Sequence, residues 1–393
     1  MKLAKPDFFS DAPAGINCAL GFIAFERDGK PQLSPHNPDH RCRHVLPGHW
    51  TPEVIDPENP PPDSLLGRLL YGTFKGDPDA ADKRKLLAEV AGSAAVGFGP
   101  RLRRPKAIVL LGELAENGKS QILEAIRGLL PASAVASVSA SKFGDDRHIV
   151  RLRGKLLNAT DELSGSAISS DIFKAIITGN FVDGRDVYSS AIEFRPVAQH
   201  LFAANRLPKF QGGMDRGVRR RLLPLMFNRV IPVEERIEDI GMRIGREEPD
   251  LLLAFAVAGA ERLIQQRDFA IPRSSEQALQ QWVYQDNPVL AWIEARVDPA
   301  PWPNFGEKKV AGIKSMFAYL QFRDWAFAAG FLPRDIPDQN GFVQSLKENT
   351  RVPGIGVKHT KAGNFLYGLA ISATDRSPDE KELAELDAAA KPV

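Results

Sequence analysis

The sequence predicts an α/β core, preceded by a helical region and followed by a smaller α+β module. Three observations carry this. Short apolar runs bounded by charged or turn residues occur at 107–111, 155–160 and 199–204, as in strands buried on both faces of a parallel sheet. The segments between these runs are long enough for crossover helices. Apolar residues at helical spacing flank the block on both sides.

In chain order, residues 1–60 read as an irregular segment, with a short strand at 21–25 and a turn at Asp28-Gly29-Lys30-Pro31. A proline-dense linker covers 56–63. Residues 61–104 form a helical, collar-like region. Leu65, Leu66, Leu69 and Leu70, then Leu86, Leu87 and Val90, predict two helices split at Gly76-Asp77-Pro78. The α/β block spans 105–232. A helical connector follows at 233–284, with a strong helix at 251–265. Residues 285–372 make the α+β module, and the acidic, Ala-rich residues 373–393 read as a flexible tail.

Composition narrows the function. Apolar residues make up 43% and charged residues 25%, which suits a globular protein with a real core. Lys+Arg 51 against Asp+Glu 49 leaves a net charge of +2, so any nucleic-acid contact must come from local clusters. No apolar run reaches the roughly 18 residues of a membrane span, and no signal peptide is legible at the start. Cys18 and Cys42 are too few for a disulfide scaffold or a thiolate zinc site, and predict reduced thiols in the cytoplasm.

The most informative stretch is Gly112-Glu113-Leu114-Ala115-Glu116-Asn117-Gly118-Lys119-Ser120. An apolar strand precedes it and a helical pattern (Ile122, Leu123, Ile126, Leu129, Leu130) follows, which is the setting of a phosphate-binding P-loop. Backbone N–H groups and the helix N-terminus present partial positive charge to an anion. Gly112, Asn117, Gly118, Lys119 and Ser120 are the predicted nucleotide contacts. Lys119 reaches the β- and γ-phosphates, and the Ser120 hydroxyl ligates Mg²⁺. Five residues separate the two glycines, one more than the usual four.

Hydrolysis also needs carboxylates. The run Leu156-Leu157-Asn158-Ala159-Thr160-Asp161-Glu162 supplies a strand ending in two. Asp161 is assigned to Mg²⁺ and Glu162 to polarising the attacking water. The strand at 199–204 ends at Asn205, an amide placed to hold that water. Next comes Asp215-Arg216-Gly217-Val218-Arg219-Arg220-Arg221. Residues 206–229 hold seven basic residues against one acidic. An arginine supplied in trans offsets transition-state charge.

This order of motifs resembles the superfamily-three helicases, and more narrowly the helicase part of phage, plasmid and poxvirus primase-helicases. The segment 35–48 and the stretch Asn287-Pro288-Val289 fit that likeness too. It implies a P-loop NTPase (AAA+-like) core and an ATP- and Mg²⁺-dependent ring, a homo-hexamer translocating on single-stranded DNA during replication of a mobile element, in a bacterial or phage-infected cell. Lys119, Ser120, Asp161, Glu162 and Asn205 match the family's nucleotide site. Arg220 and Arg221 match its paired arginines, one of which acts across the subunit interface. A primase on a separate chain is an open alternative for priming, since residues 1–100 show no convincing set of acidic metal ligands.

Family members carry a pore hairpin with a basic tip. The corresponding segment, 184–194, has no Lys or Arg at its tip, 188–191. Lys174 and Arg185 can substitute in contacting DNA, and Tyr188 can stack on a base. The module at 285–372 reads as winged-helix-like, with a recognition helix at 339–347 and a hairpin at 357–367 whose Lys358 and Lys361 would contact duplex phosphates. The leading function is a DNA helicase with ATPase activity. The alternative is a DNA-binding initiator or assembly scaffold that holds nucleotide as a structural ligand.

Overall fold

The structure is a computed structural model. It describes residues 13–26, 29–52, 56, 59–97, 99–161, 163, 167–186, 190–211, 214–300, 312–331, 333–348, 352, 354–361 and 363–374. The chain divides into two compact units, 1–279 and 280–393.

The first unit opens with an antiparallel sheet of β1 (Gly15–Cys18), β2 (Gly21–Phe25) and β3 (Pro31–Ser34). Helix α1 (Leu65–Thr73) starts where Ser64 Oγ accepts the Gly67 N–H at 2.9 Å. The Glu248 carboxylate accepts two further N–H groups, from Leu65 and Leu66, at 2.7 and 3.0 Å. These bonds satisfy first-turn donors that have no partner within the helix. Helix α2 (Ala80–Val96) ends at Gly97 in the left-handed conformation.

The central sheet comes next. Its strands are β4 (Ala107–Leu111), β5 (Val135–Ala136) and β6 (Leu157–Thr160), and later β10 (Gln199–Ala204) and β12 (Leu222–Met226). Between them run α3 (Lys119–Gly128), α4 (Asp146–Ile149), β7 (Ile168–Ser169), α5 (Ser170–Thr178), the hairpin β8 (Val182–Gly184) and β9 (Ile192–Phe194), β11 (Phe210–Gln211) and α6 (Arg216–Arg219). The sheet order is β12-β4-β10-β6-β5, and every pairing is parallel. β4 and β10 are buried along their whole length, as continuous apolar runs in a covered parallel sheet should be. The expected strand at 155–160 begins only at Leu157. Lys155 belongs to a turn, donating its backbone N–H to Leu152 and its ammonium to the Ser133 carbonyl at 2.7 Å.

Two helices complete the unit, α7 (Ile240–Glu247) and α8 (Pro249–Gln266). α2 and α8 meet backbone to backbone. A Cβ on Gly259 would lie 1.9 Å from the Ala88 carbonyl oxygen, and one on Gly92 would lie 2.3 Å from Ala260 N, so neither position admits a side chain. Ile108, Leu110, Ile122, Leu201, Leu253 and Ala256 share the core that joins sheet and helices. Charged groups are buried here too. The Lys83 ammonium, fully buried, binds Asp77 at 2.6 Å, Asp79 at 3.2 Å and the Met226 carbonyl at 3.0 Å. Glu89 accepts the Ala270 N–H at 2.7 Å, and burial pushes its pKa up to about 7. α9 (Arg273–Asp286) carries the chain onward.

The second unit holds α10 (Pro288–Arg296), β13 (Val297–Pro299), β14 (Ile313–Lys314), α11 (Ser315–Ala328), α12 (Gln339–Glu348), β15 (Gly356–Thr360), β16 (Gly363–Tyr367) and β17 (Leu369–Ile371). Its core centres on Trp292, Phe322 and Phe342, one from each long helix. The two Phe rings stack at 4.8 Å. The β15–β16 hairpin and an α12 close to the expected recognition helix are present. Among the described residues, no helix is long and apolar enough to cross a membrane.

Candidate nucleotide site

β4 delivers the chain to the C-terminal edge of the sheet, where open α/β sheets hold their ligands. There the loop 112–118 turns into α3. Gly118 has φ +87°, and a Cβ on it would lie 2.7 Å from Thr73 Oγ1. The longer loop closes through a second left-handed residue, Glu116, with φ 61°. A non-glycine residue there is strained by roughly 1–2 kcal/mol, and neighbouring groups hold it in place. Its carbonyl accepts the Ile231 N–H at 2.9 Å, and its carboxylate accepts from Arg236 at 2.6 Å.

The Lys119 ammonium is folded into the loop. It donates to the Gly112 carbonyl at 2.7 Å, Asn117 Oδ1 at 3.0 Å and the Leu114 carbonyl at 3.4 Å. Burial lowers its pKa. Asn117 is itself buried and braces the loop, its amide donating to the Leu114 and Phe227 carbonyls at 2.7 and 3.4 Å. The residues present fit a phosphate chain: a cradle with no room for a Cβ at Gly118, and an ammonium already among oxygens that phosphate oxygens can replace.

The sheet register brings the other predicted residues to the same edge. Thr160 pairs with Phe202, and Phe202 with Val109. Asp161 therefore follows β6 at the level of Ala203 and Leu110. Asn205 follows Ala204, whose carbonyl accepts the Gly112 N–H at 3.2 Å. Ser120, Asp161 and Asn205 are all exposed. Ser120 and Asp161 offer the oxygen ligands magnesium prefers. Glu162 lies outside the described residues.

The Asp161 carboxylate has a partner the sequence did not suggest. Arg127, from the last turn of α3, approaches it at 3.5 Å, donates to the Ala159 carbonyl at 2.7 Å and pairs with Glu124. Asn158, a polar residue inside β6, also has a structural task, whereas the buried Thr160 hydroxyl has no hydrogen-bond partner among the described residues. Asn158 bonds both backbone groups of Val138, at 2.8 and 2.9 Å, and its amide meets His200 Nδ1 at 3.2 Å. Burial drives the His200 pKa down to about 3, which keeps the ring neutral.

Arg220 and Arg221 lie at the opposite edge. Leu222 pairs with Ala107, and the Arg221 carbonyl accepts the Ala107 N–H at 2.8 Å. The length of β4, about 13 Å at roughly 3.3 Å per residue, separates them from the loop of their own chain. Arg221 donates to Thr178 Oγ1 and to the Gly217 carbonyl, both at 2.8 Å. Arg220 is exposed.

Lys174, expected near DNA, binds Asp171 at 2.8 Å and Asp215 at 3.0 Å, and so pins α5 to α6. The hairpin expected at 184–194 forms between β8 and β9. Arg185 is exposed beside it, and Tyr188 lies outside the described residues. In the second unit Lys358 and Lys361 are exposed, with Lys358 Nζ 5.4 Å from the Tyr367 ring centroid.

A family model described as a family of unknown function (DUF5906) matches residues 110–221. No curated protein matches the chain. Among solved structures, an apo structure of the NrS-1 C-terminal region is 12% identical, with a TM-score of 0.47, over 82% of this chain and 79% of that one. An A-form apo structure of that region is 14% identical with a TM-score of 0.41, and the match covers 58% of this chain and about half, 53%, of the other. A JCV helicase structure is 10% identical with a TM-score of 0.30, over 57% of this chain and 61% of that chain.

Proposed function

We propose that this chain is an ATPase with a P-loop NTPase (AAA+-like) core, acting as a DNA helicase of the superfamily-three type in a phage, prophage or plasmid replication system. The observation that carries the reading is the strand–loop–helix at 107–128, with the Lys119 ammonium held among loop oxygens and Asp161 and Asn205 at the same sheet edge.

In this reading the loop N–H groups and the start of α3 bind the phosphates. Lys119 exchanges the Gly112 and Leu114 carbonyls for phosphate oxygens. Ser120 and Asp161 hold magnesium, which neutralises charge on the phosphate oxygens when bound. Glu162 polarises water and Asn205 orients it. Arg220, exposed and far from its own loop, serves the loop of the next subunit, so the active form is a ring, a hexamer by the family likeness. Arg221 is the less suitable of the pair because its guanidinium is engaged within its own chain. The second unit acts as a winged-helix-like module whose Lys358 and Lys361 contact duplex phosphates.

A second reading, a DNA-binding initiator or scaffold that retains nucleotide, draws support from Lys174. Its ammonium is committed to Asp171 and Asp215, while of the described basic residues next to the hairpin strands Arg185 has a partner within the chain and Arg195 lies over the Phe181 ring at 4.2 Å. ATP turnover and strand displacement on a forked substrate separate the two. The helicase reading expects both activities in the wild type and neither in Lys119→Ala. ATP binding without turnover in the wild type would favour the scaffold, and turnover by Lys119→Ala at the wild-type rate would falsify the loop assignment.

A further inference from the structure

Between α3, α7 and the edge strand β5 lies a cavity of about 1120 Å³. Leu130 and Met242 give it an apolar lining, and Met242 is 46% exposed. Arg127, Arg151, Lys155 and Arg246 line it together with two carboxylates, Glu124 and Asp161, both of which face Arg127, so the cations outnumber the acids by two. Among the described residues, neither the Arg151 nor the Arg246 guanidinium makes a hydrogen bond or a close ion pair, and both are exposed, although the Arg246 charge helps to hold the pKa of its neighbour Glu247 down. The carboxylate next to Arg246 in sequence, Glu247, is instead held by both ends of the Arg243 fork, at 2.9 and 3.0 Å.

Several cations facing one concavity raise its potential and draw in an anion. Arginine forks suit phosphate oxygens, which they can bind in pairs. The apolar lining asks for a ligand that also has a flat, weakly polar part. The volume is at or above the roughly 300–1,000 Å³ of small-ligand pockets, which leaves room for a phosphate and a base together.

We infer that this cavity binds a nucleoside phosphate, either free or as a unit of a single strand, at a place distinct from the Lys119 loop. The phosphate lies on Arg151 and Arg246, and the base on Leu130 and Met242. Arg127 lines the same cavity and stands 3.5 Å from Asp161. A phosphate that takes one of its N–H groups loosens its hold on that carboxylate, so Arg127 is a positioning residue between the two sites. This last link rests on the ATPase reading; the binding does not.

The test uses the full chain carrying Arg151→Ala and Arg246→Ala. Anisotropy reports binding of a labelled single-stranded oligothymidylate across a salt series, and equilibrium dialysis reports thymidine monophosphate. The expected result is a loss of about tenfold or more for at least one probe. If the strand is the ligand, its salt slope also becomes shallower by about 1.4, for two lost phosphate contacts. Loss with the strand alone identifies a nucleic-acid unit; loss with the monophosphate identifies a free nucleotide. Arg151→Lys with Arg246→Lys should keep the wild-type salt slope, which separates lost charge from lost fold. Unchanged binding of both probes to a variant with the wild-type thermal midpoint overturns the inference. So does a loss of equal size in Lys119→Ala, since that would move the binding to the loop.

Discussion

At the scale of single residues, burial sets the ionisation of groups that the sequence alone leaves ordinary. Glu89 has a folded pKa of about 7 against an ordinary 4.5. Between those values the folded chain keeps a proton that the unfolded chain releases, so stability from this group falls as pH rises. His200 works in the other sense. Its folded pKa of about 3 lies below the ordinary 6.5, so the unfolded chain protonates first and stability is lost as pH falls below about 6.5. The two trends oppose each other over much of the same window. Glu89→Gln removes the first and keeps an acceptor for the Ala270 N–H. Denaturant unfolding should therefore show the gain from pH 5 to pH 7 enlarged by about 2 kcal/mol relative to wild type. An unaltered difference between the two pH values would count against a buried, protonated Glu89. Neither shift was legible in sequence, where Asn158 is only a polar residue within an apolar run. Asn158 instead belongs to a buried polar cluster with His200, a partner supplied by a strand far along the chain.

At the scale of elements, the strands themselves were legible. The runs at 107–111 and 199–204 form over those same residues, because five or six apolar residues between turn signals leave few alternatives. The strand–loop–helix turn at 107–128 was legible for the same reason. Arg127 was not, because its pairing with Asp161 depends on α3 lying over β6 in space. The paired arginines show what the element adds. Both precede β12, yet Arg221 is tied to α5 and α6 while Arg220 faces solvent. Arg221→Ala should lower the melting temperature through lost hydrogen bonds of about 1 kcal/mol each. Arg220→Ala should leave melting unchanged and remove most ATP turnover. A normal turnover rate in Arg220→Ala, or a large melting shift, would reverse these roles.

At the scale of the whole molecule, a net charge of +2 gives no general attraction to nucleic acid. If the chain works as the proposed helicase, its contact with DNA is local and sensitive to salt. Lys358→Ala with Lys361→Ala should weaken duplex binding and flatten the salt dependence by about 1.8, for two phosphates released. Equal affinity across a salt series would show that the β15–β16 hairpin does not touch DNA. The contact between α2 and α8 has a different reach. Gly92 and Gly259 bring together stretches of chain that leave the ribosome at well-separated times. Until α8 has emerged, the surface of α2 that it covers has no permanent partner. A nascent chain stalled before residue 249 would therefore expose that surface to chaperones, and the unit can close only late in synthesis.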